Sequence, residues 1–232
     1  WEVKDFDALS QGIQEGERVE VHNITDDWGN LIVAGPRARD LLSKRTKADL
    51  SNQAFRWRTG QEIGIAGVPC RALRVNYVGE LGWELYIPTE FAQDIYDGIV
   101  AAGSGHGLKL AGMHALNSLR LEKAFRHWGH DITDQDTPME AGLRFAVAFD
   151  KAVDFRGKAA LQRQLDQGTR KRLVVFTIDD PEPLLLGDEP IYRDGALVGR
   201  TTCGAYGHTV GRSVGMGYVE SEEGVDAEFI RS

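Results

Sequence analysis

The chain has 232 residues, 42% of them hydrophobic and 27% charged, and its formal net charge is −8 at pH 7. This composition is typical of a globular protein with one or two domains, and the negative charge argues against nucleic acid or an anionic membrane as a partner. The sequence has no run of about 18 apolar residues that could span a bilayer.

Helix and strand patterns alternate through the first part of the chain. Residues 5–14 have a helical pattern, and Gly35-Pro36 opens a second helix through Leu42, because proline suits the first helical turn. Apolar residues at helical spacing predict a third helix over 91–100. The predicted strands are 18–23, 31–34, 63–66 and 68–77. This alternation predicts an α+β sandwich of the ferredoxin-like type.

From residue 172 onward the sequence changes to short β-rich runs separated by glycine. Strands are predicted over 173–178, 190–193, 197–202 and 214–219. We place a boundary after a helix over 158–165, so that residues 1–167 form the first domain and 168–232 form a small C-terminal β-barrel unit.

Cys70 and Cys203 lie far apart in apolar-looking strands. We expect buried thiols in a reducing compartment, either the cytoplasm or, in a eukaryote, the mitochondrial matrix.

The segment around Tyr77 and Glu84 has the pattern of a hairpin, with glycine at both ends of a loop over 79–82. If Val78 pairs with Trp83, then Tyr77 faces Glu84 on one face of the sheet. A ring beside a carboxylate suits a flat heteroaromatic ligand with a row of N–H donors, such as the pterin of folate. A half-exposed pair without a ligand fits the same spacing, so the spacing leaves both interpretations open.

Several longer segments resemble the folate-binding, aminomethyltransferase-type region of sarcosine and dimethylglycine dehydrogenases, which is related to the glycine cleavage T-protein. They occur in family order over nearly the whole chain: 28–41 (WGNLIVAGPRARDL), 71–88 (RALRVNYVGELGWELYIP), 115–131 (ALNSLRLEKAFRHWGHD), 137–151 (TPMEAGLRFAVAFDK), 179–190, and 199–218 (GRTTCGAYGHTVGRSVGMGY).

The resemblance implies a site and a reaction. In that family an FAD domain oxidises an N-methyl group, and the folate region passes the one-carbon unit to tetrahydrofolate, which gives 5,10-methylenetetrahydrofolate. The implied folate-binding residues are Tyr77, Glu84, Arg120 and Trp128. The FAD domain and the catalytic aspartate lie upstream in the family, so the resemblance implies no catalytic residue and no bound flavin here. The implied partners are folate and a small N-methylated amino acid.

The ends of the sequence look like those of a fragment. The chain begins at Trp1 without an initiator methionine, and Arg231-Ser232 have the appearance of an unfinished strand. The expectation is that a longer protein contains this region.

Arg120 and Trp128 also have structural interpretations, because a helical arginine commonly pairs with a neighbouring acid and a tryptophan commonly packs in a core. A metal site at residues 127–136 is rejected, since its two histidines lie in a glycine-containing loop and its acids look like a solvated turn. Thr137 to Glu140 form a capping box with a local role.

Three other functions fit part of this pattern. A free-standing aminomethyltransferase would take its carbon from a lipoyl carrier. A folate-binding iron–sulfur maintenance protein would carry a lysine-glycine-cysteine signature, which this sequence lacks. An interaction domain could have lost its ligand, although Tyr77, Glu84 and Arg120 argue against such a loss.

Overall fold

The structure is a computed structural model that describes residues 2–180 and 182–231. Trp1 and Ser232, on which the expectations about the chain ends rest, lie outside the described residues, as does Pro181 of the 179–190 segment. The chain forms two compact units, one of residues 2–76 with 80–109 and one of residues 77–79 with 110–231.

The first unit is built on an antiparallel sheet with the strand order β1-β4-β3-β2. Its strands are β1 Trp28–Ala34, β2 Gly60–Ile65, β3 Val68–Leu73 and β4 Gly82–Pro88. Its helices are α1 Glu2–Gln11, α2 Ala38–Leu42 and α3 Ala92–Gly103, with short 3-10 turns at Thr25–Asp27, Thr89–Phe91 and Ser104–His106.

Alternation along β4 sets the core of this unit. Trp83, Leu85 and Ile87 are all fully buried, because successive side chains of a strand point to opposite faces. Ile95 and Ile99 of α3 are buried in the same cluster, one helical turn apart. Glu84 is therefore on the face of β4 opposite Trp83.

The second unit contains an antiparallel sheet with the order β5-β8-β7-β6. Its strands are β5 Lys171–Thr177, β6 Pro190–Arg193, β7 Ala196–Gly207 and β8 Arg212–Glu220. Its helices are α4 Met113–Glu122, α5 Lys158–Gln167 and α6 Ala227–Arg231, with a 3-10 turn at Arg144–Ala146. Leu121 of α4 is buried with Cys203 of β7 and Met216 of β8.

Two side chains of α4, Ser118 and Glu122, fix this helix against the sheet. The Ser118 hydroxyl donates to the carbonyl of Tyr206 at 2.7 Å. The Glu122 carboxylate accepts from the backbone amides of Thr209 and Val210, at 2.8 and 3.1 Å, and so holds the turn between β7 and β8. The helix that carries Arg120 is therefore held in place on this sheet.

The α+β class is confirmed, with two antiparallel sheets and helices. The strand predicted over 18–23 is wrong, because these residues pair with no strand among residues 2–180 and 182–231, and Val19 is 52% exposed. The strand-like ending is also wrong for Arg231, which is the described residue of that pair: Ala227–Arg231 are helical, and the Asp226 carboxylate accepts from the amide of Phe229 at 2.8 Å, which caps the helix.

Both capping-box bonds are present, from the Thr137 amide to Glu140 at 2.9 Å and from the Glu140 amide to the Thr137 hydroxyl at 3.2 Å, but they close a turn and not a helix. The domain boundary near residue 167 stays a prediction. Within the described part of the chain, no helix has the length and apolar content needed to cross a membrane.

Candidate functional site

The predicted pairing of Tyr77 with Glu84 is wrong. The sheet places Leu73 and Ile32 opposite Glu84. Strand β3 ends at Leu73, and the connection to β4 occupies residues 74–81. In that connection the Asn76 side chain donates to the carbonyl of Glu80 at 2.7 Å, which closes a loop where the ladder was expected to continue.

Glu84 has a different aromatic neighbour. The Tyr86 hydroxyl donates to the Glu84 carboxylate at 3.2 Å, because residues two apart in a strand share a face. Burial and then the charge of Glu84 raise the pKa of Tyr86. A half-buried carboxylate beside a phenol is therefore present in the first unit, and the two-residue spacing in the sequence was the signal that could have identified Tyr86.

Tyr77 belongs to the second unit, where its ring stacks on Phe125 with centroids 6.0 Å apart and planes inclined by 21°. Its hydroxyl oxygen is buried and has no hydrogen-bond partner among residues 2–180 and 182–231. Burial raises the pKa of Tyr77, and the charge of Arg120 acts in the opposite direction. A buried hydroxyl is costly to leave unpaired, so this oxygen is suited to a ligand or a water molecule.

Arg120 lies on α4 and is 1% exposed. Its guanidinium donates to Asp131, to Asn117 at 2.7 and 2.8 Å, and to the carbonyl of Phe125 at 2.9 Å. Burial lowers the pKa of Arg120, but the charge of Asp131, its hydrogen bond and the neighbouring Cys203 and Tyr77 together outweigh burial, so the net shift of this pKa is upward. These bonds favour a structural role for Arg120 over the direct folate contact that the resemblance implies.

Asp131 is the centre of this buried network and was missed by the sequence reasoning. The prediction of a solvated turn is wrong for this residue, which is 1% exposed. Besides Arg120, its carboxylate accepts from the Thr202 hydroxyl at 2.6 Å and from the amide of His127 at 2.8 Å. Burial raises the pKa of Asp131, but hydrogen bonds from Cys203, Thr202 and His127 together with the charge of Arg120 outweigh burial, so the net shift of this pKa is downward and favours the ionised carboxylate.

A signal for Asp131 existed in the sequence. Arg120 stands between Leu119 and Leu121 on a helix, and a buried arginine requires an acid.

Both cysteines are buried free thiols. Burial and then the neighbouring Asp131 raise the pKa of Cys203 to about 12.

Trp128 lies on the loop that Asp131 anchors and is 50% exposed. The loop turns at Gly129, where φ is +83°, and Trp128 forms a backbone bridge with Ile132. An exposed indole on a loop fixed from beneath can stack on a flat ligand.

Two of the acids in the segment that was considered as a metal site, Asp131 and Asp136, are engaged in ion pairs. Asp131 binds Arg120, and Asp136 accepts from the Lys171 ammonium at 2.6 Å. The structure thus connects Tyr77, Arg120 and Trp128 within the second unit, while Glu84 lies in the first.

Two family models match the chain in order. The GCVT N-terminal domain matches residues 1–151, and the glycine cleavage T-protein C-terminal barrel domain matches residues 171–230. The chain belongs to the glycine cleavage T-protein family. The two matched domains agree with the α+β fold and with the β-rich region after residue 170.

Two relatives of this chain are named as enzymes. It is 42% identical over 222 residues to 4-methylaminobutanoate oxidase (formaldehyde-forming) of Paenarthrobacter nicotinovorans, covering 96% of the chain and 27% of that protein. It is 44% identical over 206 residues to mitochondrial dimethylglycine dehydrogenase of Mus musculus, covering 88% of the chain and 24% of that protein. The chain therefore spans about a quarter of the length of these relatives.

A solved structure has the same fold. The glycine cleavage system aminomethyltransferase T from Bartonella henselae superposes with a TM-score of 0.70 at 28% identity, covering 82% of this chain and 52% of that one.

Proposed function

We propose that this chain is a tetrahydrofolate-binding region that accepts the one-carbon unit released by oxidative N-demethylation of dimethylglycine or sarcosine, forming 5,10-methylenetetrahydrofolate. The observation that carries the proposal is the ordered match to both T-protein domains in a chain 44% identical to a dimethylglycine dehydrogenase.

The residues present fit folate. The Tyr77 hydroxyl is buried without a partner in the described part of the chain, and Trp128 exposes a ring. The Glu84 carboxylate is bonded to Tyr86, which leaves it able to accept further hydrogen bonds from the 2-amino and ring N–H edge of a pterin. We assign recognition of the pterin to Glu84, and Tyr77 and Trp128 stay predicted folate-binding residues, by hydrogen bonding and by stacking.

Arg120 and Asp131 act in this proposal by positioning other residues. Arg120 binds the Phe125 carbonyl, and the Phe125 ring supports Tyr77, so the buried ion pair fixes the wall on which Tyr77 rests. Bound tetrahydrofolate supplies the nitrogen that receives the carbon. The residues of this chain orient it, and the acid near that nitrogen comes from the upstream part of the protein.

Two other proposals predict different chemistry. A free-standing aminomethyltransferase would need a carrier-bound aminomethyl group, and a folate-binding interaction domain would bind without turnover. Release of formaldehyde, which is part of the name of the oxidase relative, is a further outcome.

We place the protein in the cytoplasm or, in a eukaryote, in the mitochondrial matrix. This location agrees with two free buried thiols.

Product analysis separates these possibilities. Dimethylglycine and sarcosine labelled with carbon-13 in the methyl group are given to the full-length protein with and without tetrahydrofolate, and products are followed by NMR. We expect the label in 5,10-methylenetetrahydrofolate, at a rate above that of the uncatalysed reaction of formaldehyde with tetrahydrofolate. Label found only as hydrated formaldehyde, with tetrahydrofolate present, contradicts the proposal.

A further inference from the structure

The geometry of Arg39 and Arg74 in the first unit points to a second ligand site, which takes an oxyanion, either a carboxylate or a phosphate group. This inference does not depend on the proposed function. It rests on two observations. The two arginines converge on one neutral group, and neither arginine forms a salt bridge with an acid that the structure describes.

Both guanidinium groups reach the same amide oxygen. Arg39 of α2 donates from Nη2 to Asn52 Oδ1 at 2.7 Å, and Arg74, directly after β3, donates from Nη2 to the same oxygen at 2.6 Å. The two Nη2 atoms are thus no farther apart than the sum of these two bonds. Arg39 Nε also donates to the carbonyl of Leu50 at 2.9 Å, and Arg74 Nη1 to that of Phe55 at 2.5 Å.

The pair has no carboxylate to balance it. Neither arginine forms a salt bridge with any acid of residues 2–180 and 182–231. Asp49 interacts electrostatically with Arg39, but its carboxylate accepts from the Ser51 amide at 2.8 Å. Burial and then the charge of Arg39 lower the pKa of Arg74. An anion between the two arginines would relieve this repulsion.

A buried aromatic ring fixes the orientation of both cations. The guanidinium carbons of Arg39 and Arg74 lie 5.9 and 5.7 Å from the ring centroid of Trp83, which is fully buried and packs edge-on to Phe55 at 6.2 Å. Such stacking holds each planar group in one orientation.

Donors remain available for a ligand. Arg39 Nη1 and Arg74 Nε make no hydrogen bond to any residue that the structure describes, and both side chains are partly exposed. A guanidinium fork matches the oxygens of a carboxylate or phosphate. The same two arginines also tie down the loop over residues 50–55, and a purely structural clamp would show no anion affinity.

The test is a titration of the intact protein with sodium phosphate, against sodium chloride at equal ionic strength, by calorimetry and by thermal unfolding. Three variants are compared: Arg39→Gln, Arg74→Gln and, as a matched control, Arg37→Gln, whose side chain is exposed at the start of α2. We expect one phosphate per chain for the parent and for Arg37→Gln, and an affinity at least tenfold lower for the other two.

The inference is overturned if the parent protein binds phosphate no more tightly than chloride. It is also overturned if Arg39→Gln and Arg74→Gln both bind phosphate with the affinity of the parent. If either glutamine variant fails to fold, Arg39→Lys and Arg74→Lys replace them. These keep the charge but lose the fork, and their affinity is expected to fall as well.

A second titration with tri-γ-glutamate distinguishes the source of the oxyanion. Tighter binding of the peptide than of phosphate assigns the site to a folate-type tail, and tighter binding of phosphate assigns it to a phosphate group. Either result supports the inference, provided that Arg74→Gln lowers the affinity for the ligand that binds more tightly.

Discussion

Removing the carboxylate of Asp131 should be among the most destabilising single changes in the second unit. Asp131→Ala leaves the Arg120 guanidinium, with 1% of its side chain exposed, without a counter-ion. Breaking a buried ion pair by removing one partner typically costs about 3–5 kcal/mol. The Thr202 hydroxyl and the His127 amide lose their acceptor as well.

The matched control is an exposed pair in the same unit. Arg170 and Glu222 lie 3.2 Å apart, with 76% and 94% of their side chains exposed. Because solvent screens such pairs, Glu222→Ala should cost only about 0–1 kcal/mol. Both variants also remove a carboxylate, so a change in net charge alone cannot explain a difference between them.

The assay is urea unfolding followed by circular dichroism, which gives the free energy of unfolding of each variant. Arg120→Met and the double variant Arg120→Met/Asp131→Ala complete a cycle. We expect the double variant to lose less than the sum of the two single changes, because neither buried charge is then left alone. If Asp131→Ala costs no more than Glu222→Ala, or if the two changes in the cycle are additive, the account of this network is refuted.

Three further results are expected. Gly82→Ala should destabilise the protein by about 1–3 kcal/mol, because an added Cβ would lie 2.7 Å from a backbone oxygen of β1. Gly64→Ala, where an added Cβ meets open space, should be near neutral in the same unfolding assay. Burial raises the pKa of Glu189, but hydrogen bonds from backbone amides and from the Thr201 hydroxyl outweigh it and lower the pKa to about 2. The stability that Glu189 contributes is therefore complete above its unfolded value of 4.5 and is lost as the pH falls through about 2, so Glu189→Gln should make acid unfolding less steep in that window. Elemental analysis should find no stoichiometric zinc, iron or calcium bound to residues 127–136, and a bound metal would contradict the ion-pair roles of its acids.

Local patterns in the sequence predicted the secondary structure well. A helix does follow Gly35-Pro36 and ends at Leu42, although α2 begins at Ala38 and leaves Pro36 outside its first turn. The β-rich runs after residue 172 correspond to β5 through β8. Both capping-box bonds formed at Thr137 and Glu140. Each of these features depends on residues a few positions apart, which interact wherever the chain places them.

Features that depend on distant residues could not be derived in the same way. The register of β4 is set by β1 and β3 together, and the loop closed by Asn76 moved Tyr77 out of the ladder. Asp131 looked solvated because its partner Thr202 is 71 residues away in the sequence. A residue's burial follows from which elements pack over it, and a single sequence does not record that packing.

The most direct test of the central claim is calorimetric titration of 5-formyltetrahydrofolate into the full-length protein and its Glu84→Gln and Glu80→Gln variants. Glu84→Gln keeps the shape but turns one acceptor toward the pterin into a donor, and a hydrogen bond to a charged group is worth about 1.5–3 kcal/mol, so affinity should fall roughly 10- to 100-fold. Glu80 is exposed in the loop, and its substitution should change the affinity little. Parent-like binding by Glu84→Gln, or no binding of the folate by the parent protein, would contradict the account.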